Sequence, residues 1–503
     1  MSGYEHVAPA WVLVFPLVGA LILPLIGRRW PGAVHGVALL AVGCSAVAAL
    51  YTATLVVTVG VVTHTFGNWE PPWGIQFRVD HLGAAMVVLI TVISFLVLLW
   101  GHDGQPERLR RRNHFYYALY LLFTMGLSGF VLTGDLFNLY VFLEVIALTG
   151  YALIAVGDPQ APFAAFRYMI LGTLGASAYL VGLAYLYGMT GSLNFMDVAQ
   201  RLAAVDQPRT AFVALSLLVA GFGIKAALFP LHAWLPDAYS FSPPVTTAFM
   251  AAVGTKIGAY GIFRVLYTIY RIGDGAGHTL PVTTAMAWLS GAGIILGSIF
   301  AIAQTDLKRM LAYSSVSQIG YVLLGFSLAN GPGITGGVLH MINHAVMKCA
   351  LFLVAGVLAS RLGHRDIRRF DGIGLELPFT MAVFGVASLS MVGLPPTAGF
   401  FSKWYLVVGA VEAGRWPFVV IILLSSLLNA IYFIRILERA FLRPRKDRTA
   451  DAKHPPLRLR PLSASMQVPM GVMAVAILVL GLGSWPLVEH VVRFVVPVSV
   501  GAG

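Results

Sequence analysis

Seven titratable residues stand inside long apolar stretches of this sequence, where a charged side chain is costly. A charge at the centre of a bilayer costs about 2.5–3.5 kcal/mol on insertion scales, so such residues are normally functional or paired. Glu144 is the carboxylate of this group and lies halfway along an apolar run. The bases of the group are Lys225, Lys256, His340, His344, Lys348 and Lys403.

One carboxylate with several lysines and histidines in an apolar medium suits the relay of protons. Burial pushes a lysine toward its neutral form, and a nearby glutamate restores the charge. A change in the separation of Glu144 and Lys225 would therefore load or release a proton. His340, His344 and Lys348 follow one another at i, i+4 and i+8. On a helix this spacing keeps them within about 80° of one another while they climb about 12 Å, so they form a row across the membrane.

Other chemistries find weaker support in the same residues. Zinc or iron would require converging His, Cys or carboxylate ligands, and His340 with His344 alone is a weak metal signal. Cys44 and Cys349 lie inside apolar runs and form no CxxC motif or iron–sulfur framework. We found no P-loop and no nucleophile beside a base. We therefore expect no metal and no cofactor in this chain, with any redox chemistry placed on other subunits.

The composition is that of a protein embedded in a membrane. The chain has 503 residues, of which 58% are hydrophobic and 11% are charged, and its mean hydropathy is +0.81. A soluble domain carries about 25% charged residues. The chain therefore lacks the polar surface of a soluble protein, and soluble multi-domain architectures are excluded.

Apolar runs of about 20 residues, the length that a helix needs to cross a bilayer, recur along the chain. We predict an all-α polytopic membrane protein with about fourteen spans, of which the seventh and twelfth are broken at Pro230 and at Pro395-Pro396. Residues 194–205 predict a short amphipathic interfacial helix, and residues 66–80 an external hairpin. The predicted spans are 8–27, 34–62, 82–101, 115–133, 136–156, 165–188, 209–239, 244–270, 282–304, 310–328, 333–360, 378–413, 417–442 and 465–486.

The basic residues predict the orientation of these spans. The chain has 33 Lys and Arg against 21 Asp and Glu, a formal net charge of +12. Most basic residues outside the spans fall in odd-numbered loops, including 107–112, 361–369 and 443–460. By the positive-inside rule, these loops are cytoplasmic and both termini face outward. Topology thus accounts for the charge, and the predicted partner is the lipid bilayer rather than nucleic acid.

An internal repeat relates the fifth and tenth spans. Asp135-Leu136 and Gly150-Tyr151 recur as Asp306-Leu307 and Gly320-Tyr321. The two copies lie an odd number of spans apart, so they cross the membrane in opposite directions. Inverted repeats with a discontinuous helix in each half build midplane sites in ion-coupled transporters. We therefore predict two inverted five-helix repeats, formed by spans 4–8 and spans 9–13.

The repeats divide the chain into segments. The first segment, 1–114, contains three spans and the hairpin. The first repeat occupies 115–270 and the second 282–442. The last segment, 443–503, contains a basic cytoplasmic loop, the fourteenth span and a short tail.

Several polar residues near span ends have simpler interpretations. His232 and Asp237 flank the second half of the broken seventh span, and serve either as accessory proton carriers or as groups that stabilise the break. Asp306, Lys308 and Arg309 begin the tenth span and are expected to cap it. Lys348 lies near a helix end, where pairing with the helix terminus or snorkelling is the alternative to relay. A scaffold whose charges only hold helices together is the non-transporting alternative for the whole set.

The motifs around these residues resemble a known family. In chain order they are GDLFNLYVFLEVIALTGYAL, GIKAALFPLHAWLPDAYSFSPP, TKIGAYGIFRV, TDLKRMLAYSSVSQIGYVLLG, HMINHAVMKCALFLVAG and LPPTAGFFSKWYL. They are similar to the antiporter-like proton-channel subunits shared by respiratory complex I, membrane-bound hydrogenases and Mrp-type Na⁺/H⁺ antiporters. The resemblance covers most of 130–410.

The resemblance implies a fourteen-helix fold with a half-channel in each repeat. It assigns the glutamate and lysine of the first half-channel to Glu144 and Lys225, and the terminal group of the second to Lys403. It implies that the remaining bases form a central hydrophilic axis. These are Lys256, His340, His344 and Lys348.

Within the family, the pattern FGNWEPPWGIQFRVDHLGAAM, with VFLEV and LVVGAVEAG, is most similar to the D subunits of Mrp antiporters. This resemblance implies a transport subunit rather than an enzyme. It predicts proton passage in exchange for Na⁺ or another monovalent cation, with other membrane subunits of a hetero-oligomeric complex as partners. The predicted location is the plasma membrane of a prokaryote. A proton-pumping subunit of an energy-converting hydrogenase or of complex I is the alternative.

Overall fold

The computed structural model describes residues 5–104, 113–273, 281–444 and 461–496. Within these ranges the chain is almost entirely helical, with one two-stranded sheet. Thirteen helices of the described residues are long and apolar enough to cross a membrane. The predicted all-α polytopic fold is therefore confirmed. The basic cluster 107–112 and most of 443–460 lie outside the described residues.

The spans are numbered here in chain order, and they agree with the predicted apolar runs to within a few residues. Twelve of them are single helices in the described residues. Their bounds are TM1 Ala8–Arg29, TM2 Val34–Val59, TM3 His81–Gly104, TM4 Asn113–Leu132, TM5 Leu136–Ala155, TM6 Ala161–Thr190, TM8 Pro244–Ile269, TM9 Pro281–Ala303, TM10 Leu307–Leu328, TM11 Gly331–Leu362, TM13 Trp416–Phe441 and TM14 Ala464–Leu482.

The two predicted breaks are present. TM7 consists of TM7a, Pro208–Ala226, and TM7b, Leu235–Phe241. TM12 consists of TM12a, Pro378–Val392, and TM12b, Ala398–Glu412. Each first half ends at a residue in the left-handed region, Ala227 with φ 60° and Gly393 with φ 93°. The prolines that follow have no N–H to donate, so the helical hydrogen-bond ladder cannot continue through them.

TM8 contains irregularities that the apolar pattern did not predict. Met250–Gly254 and Arg264–Ile269 are π-helical, and Thr255–Phe263 between them is α-helical. A π segment widens the helix by one residue per turn and alters which backbone carbonyls are free to accept other donors. Such segments often occur at functional sites, and the first of the two lies beside Lys256.

The predicted hairpin and short surface helix are both present. Strand β1, Val62–Thr65, pairs antiparallel with strand β2, Gln76–Val79, so the hairpin begins before residue 66. The short helix is Phe195–Leu202. The Asn194 side chain caps it by accepting hydrogen bonds from two backbone amides, as an N-cap asparagine does.

The two copies of the sequence repeat have matching local structure. Asp135 caps TM5 by accepting from the Asn138 amide at 2.7 Å, and Asp306 caps TM10 by accepting from the Arg309 amide at 2.9 Å. Each aspartate also forms an isolated antiparallel bridge, with Asn194 in the first copy and with Asp366 in the second. These equivalent contacts support the predicted repeat.

The spans differ in how deeply they are buried. In TM8 and TM10, 94% of the most apolar window is buried, against 28% in TM1. TM10 packs against TM11, whose side chains from Gly333 to Leu358 are all buried. The buried polar residues of the candidate site therefore lie on the helices that form the centre of the molecule.

Candidate functional site

The three bases of TM11 lie on one helix face at the centre of the protein, as their spacing predicted. His340, His344 and Lys348 are fully buried. The two imidazole rings stack with centroids 6.0 Å apart and planes inclined by 10°. A row of titratable groups thus follows the axis of TM11.

The two histidines differ in their hydrogen bonding. His340 Nδ1 lies 2.9 Å from the Ser402 hydroxyl and its Nε2 lies 2.9 Å from Oε1 of Gln318. In the described residues, neither ring nitrogen of His344 has a hydrogen-bond partner. His340 is therefore oriented by its neighbours, whereas no described side chain or carbonyl fixes the orientation of the His344 ring. The sequence motifs did not single out Gln318 or Ser402.

Backbone carbonyls of TM8 and TM10 accept hydrogen bonds from the two central lysines. Lys256 donates to the Ala251 carbonyl at 2.6 Å, within the first π segment of TM8. Lys348 donates to the Leu311 carbonyl at 2.8 Å and to the Ser314 hydroxyl. A buried ammonium is costly without such partners. Each lysine therefore has an acceptor set that stabilises its charged form in the apolar interior.

Lys225 ends TM7a in an aromatic environment. Its Nζ lies 3.5 Å from the Tyr151 hydroxyl and 5.6 Å and 5.4 Å from the ring centroids of Tyr151 and Tyr168. TM6 approaches closely here, because a Cβ on Gly172 would lie 2.0 Å from the Tyr151 hydroxyl oxygen and 3.2 Å from Lys225 Nζ. Cation–π contact and one hydroxyl therefore stabilise this ammonium.

Glu144 is half-buried on TM5 and interacts electrostatically with both Lys225 and Tyr151. No ion pair within 4 Å joins Glu144 to Lys225 in the part of the chain that the structure describes. Tyr151, which hydrogen-bonds to Lys225, was not predicted as a site residue. The repeated Gly-Tyr pair was the signal that could have identified it.

Lys403 on TM12b is held by the end of TM12a. Its Nζ donates to the carbonyls of Met391 at 2.9 Å and Val392 at 3.0 Å, and to the Ser426 hydroxyl at 3.2 Å. It also lies 4.9 Å from the ring centroid of Tyr321. Tyr321 belongs to the second copy of the Gly-Tyr pair, as Tyr151 belongs to the first.

The two predicted accessory residues, His232 and Asp237, have different partners. Asp237 forms ion pairs with Arg167 and Arg309, and in the described residues these are its ion-pair partners. His232 stacks on Phe229 with centroids 5.2 Å apart. Asp237 therefore joins TM6, TM7b and TM10 at one end of the bundle.

Lys308 does not cap TM10, so that prediction is wrong for this residue. Its side chain is buried and donates to the Ser242 carbonyl at 2.8 Å and to the Thr247 hydroxyl at 3.1 Å. It borders a cavity of about 450 Å³ beside Arg365. Asp306 does cap the helix, because its carboxylate accepts from the Arg309 amide. Lys308 lies on the buried side of the first turn of TM10, so its side chain points inward, toward the start of TM8.

The arrangement can carry protons but offers no metal centre in the part of the chain described here. No group of three or more His, Cys, Asp or Glu side chains is placed to hold a metal ion among these residues. The predicted bases instead lie in separate positions on TM7, TM8, TM11 and TM12, and all of them except His344 are hydrogen-bonded. Hydroxyl and amide groups of TM5, TM10 and TM13 accompany them.

Comparison with known families and proteins places the chain among membrane subunits. A model of the transmembrane NADH:quinone oxidoreductase/Mrp antiporter family matches residues 133–429. The N subunit of NADH-quinone oxidoreductase from Desulforudis audaxviator is 46% identical over 436 residues, 86% of each chain. The D subunit of a Na⁺/H⁺ antiporter from Alkalihalophilus pseudofirmus is 31% identical over 393 residues, 78% of each chain.

Two solved structures have the same fold. A chain of the membrane-bound sulfane sulfur reductase, an archaeal respiratory membrane complex, matches with a TM-score of 0.89 and 30% identity, over 97% of this chain and 96% of that one. A chain of the Mrp complex from Dietzia sp. DQ12-45-1b matches with a TM-score of 0.86 and 27% identity, over 99% of each. Both belong to multisubunit membrane assemblies.

Proposed function

Because the chain belongs to the NADH:quinone oxidoreductase/Mrp antiporter transmembrane family, we propose that it carries protons along its buried bases from Lys225 to Lys403. One observation carries this proposal. The six predicted bases are buried, and each of the four lysines among them has hydrogen-bond acceptors that stabilise its ammonium form. Such residues inside a membrane protein normally mark an ion or proton pathway.

The proposed path has two halves and a centre. Glu144 and Lys225 serve the first half, with the Tyr151 hydroxyl beside the Lys225 ammonium. Lys256 and the TM11 row of His340, His344 and Lys348 form the centre. Lys403 ends the path in the second half. The matching caps of TM5 and TM10 support an origin of the two halves in an inverted repeat.

We propose further that the proton flow is exchanged for Na⁺ or another monovalent cation. The similarity to the D subunit of a Na⁺/H⁺ antiporter and to a chain of the Mrp complex supports this coupling. The chain would then act as a transport subunit in a prokaryotic plasma membrane, with odd-numbered loops cytoplasmic. Lysines repel cations, so the buried row suits protons better than Na⁺.

The proposed partners are other membrane subunits of the same complex. Glu144 shares one face of TM5 with three exposed apolar residues, Phe137, Val141 and Leu148. A carboxylate facing lipid would be costly. A neighbouring subunit on this face would shield Glu144 from the lipid chains.

A proton-pumping subunit of a redox complex is the second candidate. The 46% identity to the N subunit of NADH-quinone oxidoreductase favours it, as does the fold shared with the sulfane sulfur reductase complex. The same residues would move protons, but a redox reaction on other subunits would drive them. The two candidates therefore differ in energy source and not in path.

The test is a proton-gradient measurement in everted vesicles that contain the complete native complex. Respiration establishes a steady ΔpH, and Na⁺ is then added to vesicles with the wild-type complex or with Glu144→Ala. If Na⁺ collapses ΔpH in the wild type alone, the antiporter proposal holds and Glu144 belongs to the path. If Na⁺ has no effect, yet Glu144→Ala impairs redox-driven acidification, the second candidate is correct. Near-normal proton movement in Glu144→Ala under both regimes would contradict the proposed path.

A further inference from the structure

TM13 carries buried polar residues that the proposed path does not use. Asn429 and Tyr432 lie one turn apart on this helix and are fully buried. The Tyr432 hydroxyl donates to Oδ1 of Asn429 at 2.7 Å. A buried amide and phenol in a membrane helix are costly unless they satisfy other groups, so their partners indicate what they do.

Asn429 reaches the carbonyl that also receives Lys403. Its Nδ2 donates to the Met391 carbonyl at 3.3 Å, and Lys403 Nζ donates to the same oxygen at 2.9 Å. Met391 is in the last turn of TM12a, immediately before the break. This carbonyl therefore has two donors, one of which depends on the protonation of Lys403.

Tyr432 leads toward Lys348 on TM11, through Ser314. Its hydroxyl interacts with the hydroxyl of Ser314 on TM10. Ser314 in turn accepts a hydrogen bond from Lys348 Nζ. The order Lys348, Ser314, Tyr432, Asn429 and the Met391 carbonyl thus leads to Lys403 without passing through either histidine.

We propose that Asn429 and Tyr432 are positioning residues that set the pH at which Lys403 exchanges its proton. When Lys403 is neutral, Asn429 remains as the strong donor to the buried Met391 carbonyl. Without Asn429, that oxygen depends on the Lys403 ammonium, which favours the protonated lysine. Loss of the amide should therefore move the Lys403-dependent limb of the transport profile to higher pH.

Few other titratable groups face Lys403. Tyr321 on TM10 and His340 on TM11 interact with it, and Tyr432 represents TM13. The sequences of TM12a and TM14 contain no titratable residue. A change confined to Asn429 leaves all of these groups in place, so a shift of the profile reports on the shared carbonyl.

The experiment measures the pH dependence of proton movement by the complete complex in vesicles, with Asn429→Leu and Tyr432→Phe. Asn429→Leu should shift the profile upward by about half a unit to one unit, the effect of one hydrogen bond. Tyr432→Phe should shift it less in the same direction, because Asn429 keeps its own bond to Met391. Ser388→Ala is the matched control, since this hydroxyl is buried in TM12a and has no partner in the described residues.

The inference rests on the proposed proton path but not on the ion that drives it. If the complex proves to be redox-driven, the same pH profile is measured with the redox reaction as the driving force. Failure of the antiporter proposal can therefore be distinguished from failure of this inference. An unshifted profile in both TM13 variants would overturn the inference, as would an equal shift in Ser388→Ala. Should Asn429→Leu fail to assemble, Tyr432→Phe decides: an upward shift supports the inference and an unshifted profile overturns it.

Discussion

The lysines of the two broken helices have similar positions but different partners. Lys225 and Lys403 each lie over the ring of the tyrosine from a repeated Gly-Tyr pair. Lys225 has a tyrosine hydroxyl and the field of Glu144, whereas Lys403 has two backbone carbonyls and a serine. The first half thus places a carboxylate near its lysine, whereas the second surrounds its lysine with neutral acceptors.

The same contrast extends along the repeat. Glu144 lies six residues before Gly150, and Ser314 lies six residues before Gly320. A charged group in TM5 therefore corresponds to a neutral hydroxyl in TM10. The two halves thus share a backbone arrangement but differ in the charge that each places near its lysine.

Removing the Glu144 carboxylate should impair proton movement severely. Glu144→Gln should lower proton movement by about a hundredfold or more, because a positioned proton-transfer group typically contributes that much. Ser314→Ala should lower it only a few-fold, since Lys348 keeps the Leu311 carbonyl. Proton flux in vesicles with matched amounts of assembled complex checks both. Equal losses in the two variants would remove the proposed contrast.

Gly172→Ala should have the next largest effect. The added Cβ would occupy the position of the Tyr151 hydroxyl, and such overpacking typically costs about 1–3 kcal/mol. Displacing Tyr151 from Lys225 should reduce flux about tenfold. Gly385→Ala is the matched control in the second half, because its Cβ would meet only Leu437 at 3.9 Å. Wild-type flux in Gly172→Ala would show that the Tyr151 contact is dispensable.

Removing single hydroxyl groups compares the two tyrosines directly. Tyr151→Phe removes the hydroxyl beside Lys225 and should lower flux several-fold, because one long hydrogen bond worth about 1 kcal/mol is lost. In Tyr321→Phe the ring remains over Lys403 and the lost bond is to the Ile422 carbonyl, so the loss should be smaller. Flux at saturating driving force distinguishes them. A larger loss of flux in Tyr321→Phe than in Tyr151→Phe would contradict the greater role of the Tyr151 hydroxyl.

Sequence alone predicted most of the fold and the principal bases. Apolar runs located the spans because burial in lipid demands continuous hydrophobic length, and proline located both breaks. The π segments of TM8 could not be predicted, because an apolar run of this length does not distinguish a π-helical turn from an α-helical one. Lys308 looked like a cap from its position, but the first turn of TM10 faces the protein interior.

The partners of the bases were harder to predict than the bases themselves. Tyr151, Gln318 and Ser402 are uncharged, and uncharged polar residues are common in membrane helices. Their roles depend on which helices meet, which the sequence of one span does not contain. Asn429 is an example, since it acts on a carbonyl of TM12a.

The arginines near the ends of TM8 and TM13 should affect transport least. Their expected effect is on the stability of the fold. Arg264 forms a bidentate pair with Asp80, whereas Arg435 donates to the carbonyls of Ile302 and Gln304. Asp80→Asn should lower the free energy of unfolding by about 2–3 kcal/mol, the value of a hydrogen bond between charged groups. Thermal unfolding of the purified complex measures this loss, with Glu489→Gln as the control, because Glu489 pairs with Arg493 at an exposed site.

The same pair predicts a pH dependence of the stability. Burial opposes ionisation, yet the Arg264 guanidinium lowers the pKa of Asp80 below its ordinary value of 3.8. A lowered pKa stabilises the folded state above that value, and the stabilisation is lost as the pH falls below it. The difference in unfolding midpoint between wild type and Asp80→Asn should therefore shrink below pH 3.8. A constant difference would contradict the role of this pair.

We propose that one proton path uses both halves of the molecule. The decisive measurement is proton flux in vesicles containing the complete complex with Lys225→Ala or with Lys403→Ala. We expect each single variant to assemble and to lose nearly all flux, because the two lysines act in series. Near-normal flux in either variant would contradict it, since a path that bypasses one half does not need both lysines.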